Sequence, residues 1–357
     1  MRAYALLGLM TLGWMALGES IGNAQQDPRS VIDFEKSDHG WFVLPGADGK
    51  LELTTNAVDV KSGKQALQYT YIAGKDVLNV ILRLEAEPWA EGFRFWIKTS
   101  RPTIVAFAVS EESEERWQAA FWVGGNQWQQ VTLALSDFER AEDSPRQNGK
   151  LDMQDVAGIG FVDVGALFFA NPEVAILFGE QKGTRMLWLD DFEFLSKAPP
   201  RPQRPDSVDD FQRDYLTWIP TQGVQIRKEG NAMRVEYDSP IPGIFAVLKP
   251  IPVGSLKGTR GIQVSLSVRN MTVLALVVEE EDGERWQVTS EIGGEEKTES
   301  YQVLWNALTI TDDTKGKGDG KLDPAKIKLV SLIDVGIFME MGTPSNRWVV
   351  RSVQKVR

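Results

Sequence analysis

Residues 92–122 read GFRFWIKTSRPTIVAFAVSEESEERWQAAFW. Phe93, Phe95 and Ile97 alternate with Arg94, Trp96 and Lys98, the period of two expected of a strand with one buried face and one wet face. Two more runs of this kind follow, divided by short turns. Shifted by 169 positions without a gap, the stretch returns at residues 261–291 as GIQVSLSVRNMTVLALVVEEEDGERWQVTSE. Glu111-Glu112 falls on Glu280-Glu281, and Glu115-Arg116-Trp117-Gln118 falls on Glu284-Arg285-Trp286-Gln287. A long-period unit present twice is a duplicated domain, since a solenoid needs shorter units in larger number.

The echoes continue outward in order. Asp33 is followed by Trp41 as Asp210 is by Trp218, and ALQYTY at 66–71 resembles AMRVEY at 232–237. NGKLD at 148–152 matches DGKLD at 319–323, and FVDVG at 161–165 matches LIDVG at 332–336. Between the halves, residues 197–205 (KAPPRPQRP) hold four prolines in nine positions, a semi-rigid extended spacer. The predicted organisation is therefore 27–196 as domain 1, 197–206 as a proline-rich linker and 207–357 as domain 2. Many short antiparallel strands without helical periodicity predict an all-β chain of two tandem β-sandwiches of the jelly-roll kind.

Composition narrows the function. A length of 357 residues with 42% hydrophobic content supports two cores. Asp and Glu number 50 against 39 Lys and Arg, a balance that repels nucleic acid and anionic membranes. Met1-Arg2, the apolar run at 3–17 and the small residues at 22–24 read as a signal peptide over 1–24. No later run is long and apolar enough to span a bilayer. Cysteine is absent, so cores or metal must hold the fold. These features predict a secreted bacterial protein, periplasmic or extracellular.

The ordered set of motifs resembles galactose-binding-like jelly rolls, especially carbohydrate-binding modules of the family-eleven type. It comprises the Asp-Phe-Glu opening at 33–35 with its nearby Trp, SGKQAL at 62–67, FWIK at 95–98, WQQVTL at 128–133 and LWLDDFEF at 187–194. The resemblance covers nearly all of 31–195 and, more weakly, 208–356. It implies non-catalytic polysaccharide binding on a sheet face, often beside a structural calcium. In that fold the opening acids, the Ser-Gly loop and the closing Asp pair meet, which here implies Asp33, Glu35, Asp190 and Asp191. The second half has Gln212 for Glu35 and, aligning Trp348 with Trp188, Val350-Arg351 for the Asp pair. Solvated turn carboxylates are the alternative.

The off-core parity of the repeat supplies the ligand candidates: Arg94, Trp96 and Lys98 on one strand, Arg116, Gln118 and Trp122 on another. Indole faces pack on sugar rings while polar groups meet the hydroxyls. The second half has Gln263, Ser265, Ser267, Arg285, Gln287 and Glu291 there, so repeat one is expected to bind. Alternatively both tryptophans pack beneath a loop or against the other half. Trp117 and Trp286 lie on the apolar parity and are expected in the cores.

An eleven-residue excess between Gly165 and Trp188 contains the apolar stretch from Ala166 to Phe178. It is either extra core or a patch for a protein partner, and the latter supports the competing reading of a structural or interaction protein. His39 is the only histidine, which excludes histidine triads. Glu111–Glu115 and Glu279–Glu281 are read as solvated hairpin turns, and 312–320 as a flexible Asp/Gly loop without the ligand spacing of an EF-hand. No enzyme activity is expected.

Overall fold

The computed structural model describes residues 31–47, 49–73, 80–141, 143–145, 148–167, 179–180, 182–198, 206–238 and 243–357. The predicted signal segment, residues 199–205 of the linker and residues 168–178 of the apolar stretch lie outside the described residues.

The chain forms two compact units. The first holds β1 (Val31–Ile32), β2 (Phe42–Val43), β3 (Gly49–Thr54), β4 (Ala66–Ala73), β5 (Val80–Arg83) and β6 (Gly92–Thr99). It continues with β7 (Thr103–Glu111), β8 (Arg116–Val123), β9 (Gln129–Ala134), β10 (Glu139–Arg140), β11 (Val156–Asp163) and β12 (Gly183–Leu195). Sheet I has the order β3-β4-β12-β6-β9 with β1 also on β12; sheet II has the order β10-β8-β7-β11-β5-β2.

The second unit runs through β13 (Ser207–Asp209), β14 (Ile219–Pro220), β15 (Val224–Lys228), β16 (Met233–Asp238), β17 (Phe245–Pro250) and β18 (Gly261–Val268). β19 (Thr272–Glu280), β20 (Arg285–Ile292), β21 (Glu299–Leu304), β22 (Thr309–Ile310), β23 (Ile327–Asp334) and β24 (Ser345–Val356) complete it. Sheet III, β15-β16-β24-β18-β21 with β13 on β24, repeats sheet I, and sheet IV, β14-β17-β23-β19-β20-β22, repeats sheet II. Both units are antiparallel jelly-roll sandwiches, as the alternation predicts.

The inward parity of each sheet makes the core. In the first unit it is aromatic: Phe107 and Phe161 are 4.7 Å apart between ring centroids, Phe93 and Phe107 4.8 Å, and Phe95 stacks on Phe192 at 5.7 Å. Strand register places Ile262, Val264, Leu276, Leu332 and Val353 at the positions of Phe93, Phe95, Phe107, Phe161 and Phe192. The topology is kept while the packing volume falls. Phe34 and Phe211 are buried with φ of 58° and 53°, so both units hold the same left-handed aromatic, a conformation unfavourable for a bulky residue unless the packing fixes it.

Register also corrects the alignment of the closing strands. Leu187 pairs with Thr99, and Trp348 pairs with Val268, the equivalent of Thr99. Trp348 therefore replaces Leu187 rather than Trp188, Arg351 replaces Asp190 and Ser352 replaces Asp191. The excess in the first unit is ten residues. Of the stretch considered for a partner patch, Ala166 and Leu167 end a helical turn, Val164–Leu167, with Ala166 buried. Leu167 packs on an apolar cluster of Val80, Leu82, Ala106, Val162 and Val164.

One buried network ties the sheets together in each unit. Asp163 lies out of water and accepts from Tyr71 Oη at 2.5 Å, Thr103 Oγ1 at 2.5 Å and Ala166 N at 3.1 Å, and pairs with Arg185 Nε at 2.8 Å. Burial, then the Asp163 charge, pushes the Tyr71 hydroxyl well above its ordinary pKa. Asp334 accepts in the same way from Tyr237 at 2.6 Å, Thr272 at 2.6 Å and Gly336 N at 2.9 Å. Asn346 stands at the place of Arg185. Removing one partner of a buried ion pair leaves an uncompensated charge. Asp163→Ala is therefore expected to cost about 3–5 kcal/mol, and Asp334→Ala, which strands no cation, about 1–3 kcal/mol. Urea titration with hydrogen-exchange protection followed separately in each unit measures the difference.

Candidate functional site

The structure separates the six predicted ligand residues. Arg94, Trp96 and Lys98 lie on β6 in sheet I, whereas Arg116, Gln118 and Trp122 lie on β8 in sheet II. The two trios face outward from opposite sheets of one sandwich and form no common surface. Trp122 pairs across the strand with Ile104, which packs on the apolar cluster of sheet II, and it is only 5% exposed. Trp117 is buried as expected, while Trp286 is partly exposed and donates Nε1 to Glu280.

The outer face of sheet I gathers more than the sequence indicates. Trp96 is partly exposed, and Trp188, opposite Lys98, lies beside it on the same parity. Lys61 places its ammonium 4.1 Å from the Trp96 ring centroid, and Lys98 lies 4.8 Å from the Trp188 ring, both within cation–π range. Lys98 also donates to Val58 O at 2.8 Å and Asp59 Oδ1 at 2.7 Å. Trp188 Nε1 donates to Gln68 Oε1 at 2.9 Å, and Gln68 Nε2 donates to Glu52 at 3.2 Å. Arg94 Nε donates to Glu193 Oε2 at 2.9 Å. Thr132 and Gln130 lie opposite Arg94 and Trp96 on β9. Trp188 and Lys98 are buried, so Trp96 alone is the indole presented on this face, bordered by hydroxyl, amide and charged groups.

Parity within the repeated strands does not single out Lys61, Gln68 or Trp188. Trp188 has a legible signal, since Met186, Trp188 and Asp190 share one parity of β12. Lys61 has none, because it sits on a loop. Eleven residues join β3 to β4, against four between β15 and β16. That longer connection carries Val58, Asp59 and Lys61 across the sheet, and the four-residue link between β15 and β16 is too short to do the same. Ser265, Ser267 and Val349 stand there for Trp96, Lys98 and Trp188.

The same loop meets three of the four predicted metal ligands, Glu35, Asp190 and Asp191. Asp190 Oδ2 accepts from Lys61 N at 2.8 Å and Ser62 N at 3.0 Å, and Asp191 Oδ2 accepts from Ser62 Oγ at 2.8 Å. Glu35 Oε1 accepts from Lys64 N at 2.6 Å and Gln65 N at 3.1 Å, while Asp33 Oδ1 accepts from Glu35 N at 3.1 Å. Gly63, at φ +63°, leaves the space that Glu35 uses; a Cβ there would lie 2.2 Å from Oε1. Burial pushes the Asp190 carboxyl up to about 6 against the opposing hydrogen bonds of Ser62 and Lys61. These carboxylates are hard oxygen donors of the kind calcium takes, but no three of them gather their oxygens within the 4.8 Å that Glu280, Asp282 and Glu284 reach. In the second unit Arg351 Nε donates to Thr298 Oγ1 at 3.0 Å.

A second acidic system overturns the reading of solvated turns. Glu111, Glu115, Glu280 and Glu284 are all buried. Glu115 accepts from Asn148 N at 3.1 Å and Gly149 N at 3.2 Å, and Glu111 accepts from Asp152 N at 2.7 Å. Glu284 accepts from Gly318 N at 3.0 Å and Gly320 N at 3.1 Å, and Glu280 accepts from Asp323 N at 2.8 Å. The repeated NGKLD and DGKLD segments are thus the backbone partners of the repeated glutamates. Among the described residues, Glu280, Asp282 and Glu284 bring carboxylate oxygens within 4.8 Å of one another.

No protein-family model and no curated protein matches the chain. Solved structures do. The family-11 carbohydrate-binding module of a cellulosomal cellulase of Clostridium thermocellum matches at 17% identity over 42% of this chain and 92% of that chain, with a TM-score of 0.31. A tandem of two family-22 modules from Paenibacillus barcinonensis matches at 12% identity over 94% of this chain and 99% of that one, with a TM-score of 0.30. A family-29 module complexed with mannohexaose matches at 11% identity over 42% and 89%, with a TM-score of 0.28. These solved structures similar to this chain are carbohydrate-binding modules.

The glutamate clamps carry a prediction. Glu284→Ala removes the acceptor of Gly318 N and Gly320 N, and hydrogen bonds to a charged group are worth about 1.5–3 kcal/mol. Tryptic cleavage after Lys315, Lys317 or Lys321 should accelerate in this variant at unchanged temperature. Cleavage at the wild-type rate would show that the loop is held by other contacts.

Proposed function

We propose that the protein is a secreted carbohydrate-binding protein that holds a glycan on the outer face of sheet I without transforming it. The observation that carries this reading is Trp96, a partly exposed indole on the outward parity, bordered by Arg94, Gln130, Thr132, Gln68 and Trp188. The apolar face of a pyranose packs on such a ring while its hydroxyls exchange water for the surrounding donors and acceptors. Lys61 occupies one indole face and shifts as the sugar stacks. Glu193 and Asp59 on this face are engaged with Arg94 and Lys98, and Asp190, opposite Trp96, accepts from Lys61 N and Ser62 N, which suits a binding surface better than an acid–base pair. Asp33, Glu35, Asp190 and Asp191 would hold a calcium ion that braces the loop carrying Lys61. Trp122 falls outside this site.

Affinity electrophoresis through soluble β-glucan, xylan and mannan tests the reading. Wild-type protein is retarded by at least one of them, and Trp96→Ala weakens that binding by about tenfold or more, the equivalent of about 1.4 kcal/mol. Trp122→Ala lowers stability and leaves the retardation in place. Retardation that survives Trp96→Ala removes the site, and none on any polymer removes the function.

Calcium has its own test. A ligand at about one hundred times its Kd stabilises the folded state by about 2.7 kcal/mol. Calcium therefore raises the melting temperature, EGTA reverses the shift, and Glu35→Gln abolishes it. No calcium-dependent shift in the wild type excludes the ion from this loop.

A further inference from the structure

We infer that the loop between β3 and β4 limits the sheet I site to one or two sugar units, with Lys98 as the positioning residue that holds the limit, an assignment that rests on the glycan reading above. On the outer face Trp96 has four neighbours: Arg94 and Lys98 along β6, Asp190 across on β12 and Gln130 across on β9. The loop stands on two of them. Lys98 Nζ donates to Val58 O at 2.8 Å and to Asp59 Oδ1 at 2.7 Å. Asp190 Oδ2 accepts from Lys61 N at 2.8 Å and Ser62 N at 3.0 Å. Lys98 and Asp190 are buried, whereas Arg94 and Gln130 are exposed. Two walls therefore meet at Trp96.

The open floor is small. Alternate residues of a strand lie about 7 Å apart and neighbouring strands about 5 Å apart, so the strip from Trp96 to Arg94, with Gln130 and Thr132 beside it, matches one or two sugar rings. The same face resumes at Thr70 and Met186, which pair across β4 and β12 and are partly exposed. Lys98, carrying the turn at Ala57–Asp59, stands between them and Trp96, and Val58 at 70% exposure is the crest of that turn. A longer chain lying on Trp96 meets this crest instead of continuing across the sheet.

Burial fixes Lys98 in that role. An ammonium out of water needs oxygen partners, and Val58 O and Asp59 supply them, so lifting the turn breaks a buried ion pair. Asn56 Nδ2 donates to Asp59 Oδ2 at 2.7 Å and stiffens the same turn. The second unit lacks the device: Ser267 stands for Lys98, and residues 229–232 alone connect the two strands.

Isothermal titration calorimetry of the full chain with gluco-, xylo- and manno-oligosaccharides of increasing length, from disaccharide to hexasaccharide, reads the limit directly. In the wild type the series that binds gains less than about twofold in affinity beyond the disaccharide. In Lys98→Met the stranded Asp59 carries the turn into water, and the hexasaccharide binds about tenfold more tightly than the disaccharide. Replacing residues 54–66 by the sequence of residues 229–232 gives the same gain by a separate route, and Trp96→Ala weakens every length alike. Wild-type affinity that climbs about tenfold from disaccharide to hexasaccharide overturns the inference and leaves the glycan reading standing. A flat series in both loop variants, with near-UV circular dichroism unchanged, overturns it as well. No binding at any length removes the glycan reading and the length limit together.

Discussion

A carboxylate taken out of water must be met by donors, and this requirement shapes both halves of the protein. Asp163 and Asp334 each sit between the sheets with a tyrosine and a threonine from different strands turned towards them. Glu115 and Glu284 do the same for loops, drawing in backbone N–H groups some thirty residues later in the chain. In a sandwich closed by hydrophobic parity alone the loops would be free to drift. Here the buried acids set where the connections lie, and through them where each sheet ends.

Against that shared frame the two units have diverged in a patterned way. Inward positions changed in volume but not in character, from phenylalanine to aliphatic residues, because any apolar side chain of suitable size satisfies the interior. Outward positions changed in chemistry. On sheet I the second unit exchanges Trp96 for Ser265 and lacks the longer loop that brings Lys61 to the face. On sheet II the second unit places the ion pairs of Glu279 with Arg285 and Lys328 where the first has Ser110 and Ala157. Each unit is therefore a control for the other.

Much of this architecture is legible in the chain itself. The gapless repeat of residues 92–122 at 261–291 implies one fold twice, and the alternation through Phe93, Phe95 and Ile97 marks the core face correctly. The motif order places Glu35, Asp190 and Asp191 against one loop, whereas Asp33 bonds only to Glu35 N. Glu111 and Glu115 resist such a reading because charge in a turn ordinarily signals solvent, and nothing local shows that a loop some thirty-five residues on will supply the donors. Trp348 resists it too: two tryptophans invite pairing, whereas the hydrogen-bonded register, one residue away, follows the buried faces.

The sequence by itself determined which side chains point inward, because strand parity is a local property with a period of two. Only the tertiary structure decided which outward faces coincide. β6 and β8 are separated by a single strand, yet the jelly-roll connection sends one to sheet I and the other to sheet II. Arg94, Trp96 and Lys98 thus share a surface with Lys61 and Trp188, while Arg116 and Gln118 share one with Ser110 and Gly158. Such neighbours are set by non-local strand order, which the parity of a single strand does not encode.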